Sequence, residues 1–206
     1  MAAGNVYIQY LLHLVAAQGA LASVYMDPND PDGFFSGYVE CVGPRHFLMA
    51  DVTPWGRLEG WRVLRTGEAV QLLLGEEYEQ RLGLLLSHYG QTHTPFLPPQ
   101  TQDEDDVLYR VLEKCRQEKR VISLVVGDDM ITGRVGEVNE LRLKIDAMSF
   151  FGTDAGVEQL TLREIDMVCI ATQEEQMYET LERMMGGAQL RILREDGPED
   201  RGPGRS

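Results

Sequence analysis

Residues Met130–Asp146 read MITGRVGEVNELRLKID. In this stretch Leu141, Leu143 and Ile145 alternate with Arg142 and Lys144, the period of two expected of a strand with one buried face. Ile131, Val135 and Val138 surround Gly133, which marks a place where a strand bends or admits a neighbouring backbone. Val138-Asn139-Glu140 joins the two runs, and Asn139 tolerates a left-handed conformation. An earlier stretch follows the same plan, Phe35-Ser36-Gly37-Tyr38-Val39-Glu40 and then Phe47-Leu48-Met49-Ala50-Asp51. Gly37 and Gly133 lie 133 − 37 = 96 positions apart, and Asp51 and Asp146 lie 146 − 51 = 95 apart, so one single-residue deletion reconciles two copies. The chain is expected to be a duplicated small β unit.

Working outward from this pair, Val6–Ala17 is apolar almost all round, as in a helix packed on more than one side. Ala20–Met26 predicts a strand, and Asp27–Gly33, with two prolines, a turn. Phe34–Cys41 and Arg45–Val52 form the first strand pair. Gly60–Arg65 and Ala69–Leu74 complete that set, and Leu82, Leu85, Leu86 and Tyr89 lie at i, i+3, i+4 and i+7 of a following helix. The segment 90–102 concentrates three prolines between two periodic regions and predicts an extended spacer. Asp103–Asp106 then precedes a helix with Val107, Leu108, Val111, Leu112 and Cys115 on one stripe, and carboxylates suit a helix N-terminus. Val121–Val126, Glu158–Arg163 and Asp166–Ala171 are further strands, and Met177, Leu181 and Met184 face inward from a closing helix. Beyond Gly186-Gly187 one short strand, Ala188–Leu193, precedes a polar, disordered end. The expected division is 1–89 and 103–187 for two copies, 90–102 for the linker and 188–206 for the tail.

Composition narrows the function. The chain has 206 residues, 43% hydrophobic and 25% charged, and no apolar run approaches the ~20 residues that span a bilayer. Its formal charge is −14, and residues 1–100 contain no lysine. A protein that holds nucleic acid through phosphates needs a basic surface, so the charge disfavours RNA as a partner. The N-terminus has the apolar centre and Ala-Leu-Ala ending of a signal peptide. Yet no Lys or Arg precedes Arg45, and Gln9, His13 and Gln18 interrupt the apolar part, so it is read as the helix of the first copy. Cys41, Cys115 and Cys169 lie in apolar patterns without metal-site spacing, which fits free thiols in a reducing cytoplasm.

Helix, five short strands, helix, with VISLVV, MITGRVGEVNELRLKI and a closing REIDMVCI, resembles the Sm/LSm family and its Hfq-like branch. The likeness spans 105–171 and, more loosely, 6–74. It implies a mainly β fold with flanking helices: two tandem Sm-like (SH3-like) five-stranded small barrels, each with an N-terminal and a C-terminal helix. It also implies edge-to-edge assembly, the fourth strand of one barrel pairing with the fifth of the next. Asp128-Asp129-Met130 resembles the acidic residue and hydrophobe of the Sm motif. Where Hfq-like proteins carry a Lys-His pair, this chain has Leu162-Arg163, and the family's RNA signature is not carried over.

Two connections pair up as candidate sites, Asp51-Val-Thr-Pro-Trp-Gly56 and Asp146-Ala-Met-Ser-Phe-Phe-Gly152. Trp55, Phe150 and Phe151 are either exposed platforms for a partner or ligand or, as their size favours, rings folded over a barrel end. Trp61 is read as core. Asp27–Gly33 nearly spells a calcium loop, but Pro28 stands where the first aspartate belongs. His88 and His93 lack further ligands nearby, so no metal and no cofactor is expected. No phosphate loop, nucleophile elbow or H-E-x-x-H occurs. The expected function is a non-catalytic, cytoplasmic binding or assembly module working through protein contacts, self-association and ring formation included. RNA binding would need Arg134, Arg142, Lys144 and Arg163 on one face, and a small-ligand sensor would use the aromatic connections.

Overall fold

The computed structural model describes residues 3–30, 32–98 and 106–195. The first half runs α1 (Ala3–Gln18), β1 (Leu21–Tyr25), β2 (Phe34–Val42), β3 (His46–Val52), β4 (Leu58–Arg65), β5 (Gln71–Leu74) and α2 (Glu77–His88). The second runs α3 (Val107–Glu118), β6 (Val121–Val126), β7 (Asp129–Val138), β8 (Arg142–Met148), β9 (Asp154–Thr161), β10 (Met167–Ile170) and α4 (Gln173–Glu195). The chain is mainly β with flanking helices. No helix among the described residues is long and apolar enough to cross a membrane.

All ten strands join one antiparallel sheet in the order β5-β1-β2-β3-β4-β10-β6-β7-β8-β9. Its two halves repeat one order: fifth strand, first, second, third, fourth. They meet where β10 pairs with β4, from Met167 opposite Leu64 to Ile170 opposite Trp61. The sheet therefore continues across the midpoint and stays open at β5 and β9, a single ten-stranded sheet where two five-stranded barrels had been expected.

The repeat holds residue by residue. Gly37 stands opposite Asp51 and Gly133 opposite Ala147, and each ladder slips once, between Val39 and Cys41 and between Val135 and Glu137. A shift of 96 carries the first ladder onto the second, bulge included (135 − 39 and 147 − 51 are both 96). The counterpart of Asp51 is thus Ala147, and the sequence pairing of Asp51 with Asp146 was one place out. The length difference lies earlier. Leu21 pairs with Tyr38 and Val121 with Arg134, so β1 and β6 are 121 − 21 = 100 apart, and the first half carries four more residues in its 26–33 connection. Gly37 and Gly133 serve the same close approach, since a Cβ on either would overlap the carbonyl oxygen of Ala50 or Asp146 on the neighbouring strand.

Each half fills its own interior. Leu12, Val24, Val39, Phe47 and Met49 form one core, and their counterparts Leu112, Leu124, Val135, Leu143 and Ile145 belong to the other. The second core also takes Cys41, Leu48 and Val63 from the outer face of the first half. Hence β3 is buried along its whole length, while β8 alternates buried and solvent-facing positions.

Other expectations change. The linker is docked, not a free spacer: Phe96 and Leu97 are buried in the second core. Only one face of α1 is covered, through Ile8, Leu12 and Val15. Strand β9 starts at Asp154, four residues before the sequence placed it. Helix α4 continues through Gly186-Gly187 to Glu195, so Ala188–Leu193 is helical. The glycine cost of ~1 kcal/mol each is offset there by strong helix formers on both sides. The expected disordered end was 195–206; its first residue, Glu195, closes α4, and 196–206 and Asp103–Asp105 lie outside the described residues.

Candidate interaction surfaces

The two aromatic connections are built alike. Thr53 N–H donates to Arg57 O at 2.8 Å and Gly56 N–H to Thr53 O at 2.8 Å. In the second half Ser149 N–H donates to Thr153 O at 2.7 Å and Gly152 N–H to Ser149 O at 2.8 Å. Gly56 and Gly152 both have φ of +72°, and each turn rests on the helix that follows its sheet. A Cβ on Gly56 would meet Leu85 of α2, and one on Gly152 would meet Leu181 and the backbone of α4. Trp55 and Phe151 are counterparts. Trp55, Phe150 and Phe151 are 60%, 75% and 63% exposed, so these rings point away from the core that their size had favoured. The turn's own hydrogen bonds and its packed glycine hold the backbone down and leave the ring outside.

Trp61 is partly buried against the second core, as read from sequence, and its Nε1 donates to Glu40 Oε1 at 2.8 Å. Glu40 is a carboxylate that sequence reading passed over. It also meets His93 Nε2 at 2.8 Å, and its Oε2 accepts from Phe96 N–H at 2.8 Å. His93 stacks on Tyr38 with ring centroids 4.6 Å apart. This buried carboxylate fastens the linker to β2 and β4. A lone Glu at an inward position of FSGYVECV was the available signal.

The four basic residues proposed for RNA are not gathered. Arg134 makes a two-pronged bond to Glu182 at 2.7 and 2.8 Å. Lys144 pairs with Glu137 at 3.3 Å. Arg142 and Lys144 do share a groove of about 570 Å³, together with Glu113, Arg116 and Glu137. Arg163 lies elsewhere, in a groove of about 430 Å³ at the junction of the halves, beside Arg45, Arg65, Glu68 and Asp106. Arg65 is already held by Glu68 at 3.1 Å and Asp166 at 2.8 Å, and Arg45 by Asp106. Arg134, Lys144, Arg45 and Arg65 thus face carboxylates of their own chain, while Arg142 and Arg163 make no ion pair among the described residues.

Asp106 caps α3, accepting from Leu108 N–H at 3.0 Å and Tyr109 N–H at 3.4 Å. The His46 imidazole, then the Arg45 guanidinium, hold its carboxyl down at about 2. His46 Nδ1 lies 3.8 Å away, beyond hydrogen-bond length, so its pull is electrostatic. Across the junction ladder, Arg62 bonds Asp51 at 2.7 Å and donates to Cys169 Sγ at 3.1 Å.

The three cysteines are free and buried. Burial pushes the Cys115 thiol up to about 12 and the Cys169 thiol to about 11, and raises that of Cys41. Such thiols stay protonated near neutrality and are poor nucleophiles. Among the described residues no group of three or more His, Cys, Asp or Glu is placed to hold a metal ion.

No family model matches the chain, and no curated protein or solved structure matches it. Among the described residues the chain presents a repeated unit, two exposed aromatic turns and two unpaired sheet edges. The edges have an internal precedent: β5 is the counterpart of β10 and β9 that of β4, the two strands that pair at the junction.

Proposed function

We propose that the chain is a pair of tandem Sm-like barrels, each incompletely closed, acting as a non-catalytic assembly module that docks proteins through the two ends of its sheet. The supporting observation is the β4–β10 junction. There a fourth strand takes a fifth strand, and the free ends are one strand of each type. An unpaired edge offers a row of N–H and C=O groups to an incoming strand, and β augmentation uses that row for affinity. Protein is favoured over RNA as the partner because the chain carries −14 and Arg45, Arg65 and Arg134 are each paired with a carboxylate of the same chain. Three protonated, unpaired cysteines support a reducing compartment, the cytoplasm.

The test is photo-crosslinking in cells from a reactive residue at Leu74 on β5 or Val157 on β9, both exposed. The expected result is covalent protein adducts from at least one edge. Adducts to RNA alone, or none from either edge, contradict the proposal. The exposure of Trp55, Phe150 and Phe151 favours a second reading, in which the aromatic turns contact the partner or a small ligand. Adducts confined to residues placed at those three positions would select it.

A further inference from the structure

The two ends of the sheet are not alike, and the junction inside the chain shows what each type of end receives. At the junction α3 lies against the first half. Its Val107 and Val111 are buried in one cluster with Cys41, Leu48 and Val63, and Arg110 reaches Pro98 O at 3.4 Å. The positions 100 residues earlier, on α1, include Tyr7, Tyr10 and Leu14, counterparts of Val107, Arg110 and Lys114. Tyr7 and Tyr10 are 63% and 61% exposed, and Leu14 is exposed as well. Helix α1 thus shows apolar and aromatic side chains on the face that α3 uses to hold a neighbour. Beside it, among the described residues, β5 pairs with β1 alone.

The opposite end of another copy does not match that face. The counterparts of Cys41, Leu48 and Val63, 96 residues on, are Glu137, Lys144 and Gln159. A head-to-tail row of chains would press Tyr7, Tyr10 and Leu14 against two charges and an amide, with nothing apolar to bury.

Resting on the reading of the sheet ends as docking edges, we propose that the α1–β5 face binds a second copy of this chain about a two-fold axis. In that contact β5 runs antiparallel to its partner's β5. A two-fold contact sets a patch against itself, so any charged residue near the axis meets its own like charge. Neither 3–18 nor 71–74 contains Asp, Glu, Lys or Arg, in a chain of net charge −14. Along α1 and β5 themselves the face meets itself without charge repulsion, the nearest like charges being Glu68, Glu76 and Glu77 at the ends of β5, and removing its aromatic area from water favours the contact.

The test is the mass of the full chain in solution, by light scattering or native mass spectrometry over a dilution series. The expected mass is twice the 23.2 kDa of one chain at the concentrated end. Tyr10→Glu and Tyr10→Lys should both return the single-chain mass, since either charge meets its own copy, and Val157→Lys on β9 should leave the dimer intact. Tyr10 is exposed, so both variants keep the fold, which circular dichroism checks. A single-chain mass at every concentration overturns the two-fold dimer. So do masses that climb beyond two chains, a dimer broken by Val157→Lys, or one that survives Tyr10→Lys. Edge crosslinks to other proteins in cells would survive such a failure, and their absence would fail the broader reading separately.

Discussion

Asp106 joins three roles in one side chain: helix cap, partner of Arg45 across the junction, and neighbour of His46. Its carboxyl lies below the ordinary aspartate value of about 3.9. A depressed carboxylate contributes stability that is present above the unfolded value and lost as the pH falls through the folded one. The contribution of Asp106 should therefore be complete above about pH 5 and fade between about 4 and 2. Asp106→Ala should cost about 1–2 kcal/mol in urea unfolding at neutral pH, and Asp106→Asn, which still caps, should recover about half of it. The gap between wild type and Asp106→Asn should close toward pH 2, and a gap that widens there contradicts the assignment. The cap was legible, because carboxylates ahead of a periodic apolar run predict one. The pairing with Arg45 was not, since nothing local ties residues 61 positions apart. Glu40 escaped notice for the same reason: its partners Trp61, His93 and Phe96 are 21, 53 and 56 positions away.

At the scale of elements, β3 and β8 occupy the same place in the repeat and differ in one face. Both turn Phe47 or Leu143, and Met49 or Ile145, into their own core. On the other face β3 has Leu48 under α3, where β8 has Lys144 beside solvent. Alternation in Leu141–Ile145 predicts one wet face, and the unbroken run Phe47–Ala50 carries the signal of a strand covered on both. Exchanging these residues tests the difference. Leu48→Lys places an unpaired charge in a closed cluster and should cost about 3–5 kcal/mol in chemical denaturation. Lys144→Leu loses only the surface pair with Glu137 and should change stability by under about 1 kcal/mol. Equal costs at the two positions would mean that α3 does not cover β3 as described. The aromatic turns were legible as a matched pair, but whether their rings point in or out depends on the α2 and α4 contacts with Gly56 and Gly152.

At the scale of the whole molecule, duplication was visible in the spacing of two glycines. The family likeness implied that a fourth strand pairs with a fifth between barrels, while the order of strands within each half, and one sheet running unbroken through both, were not read from the sequence. Edge pairing between halves leaves no periodic mark, because β4 and β10 would carry the same alternation whether paired or free. The functional proposal depends on that continuity, since the junction is the precedent for what β5 and β9 could receive. Residue-resolved amide exchange measures it directly. In the expected result, amides of β4 and β10 bonded across the junction open only with the global unfolding of the chain, as do those between β2 and β3, while the outward amides of β5 and β9 exchange quickly. If β4 and β10 instead exchange as fast as β9, the halves separate freely, and one continuous sheet with two docking ends is contradicted.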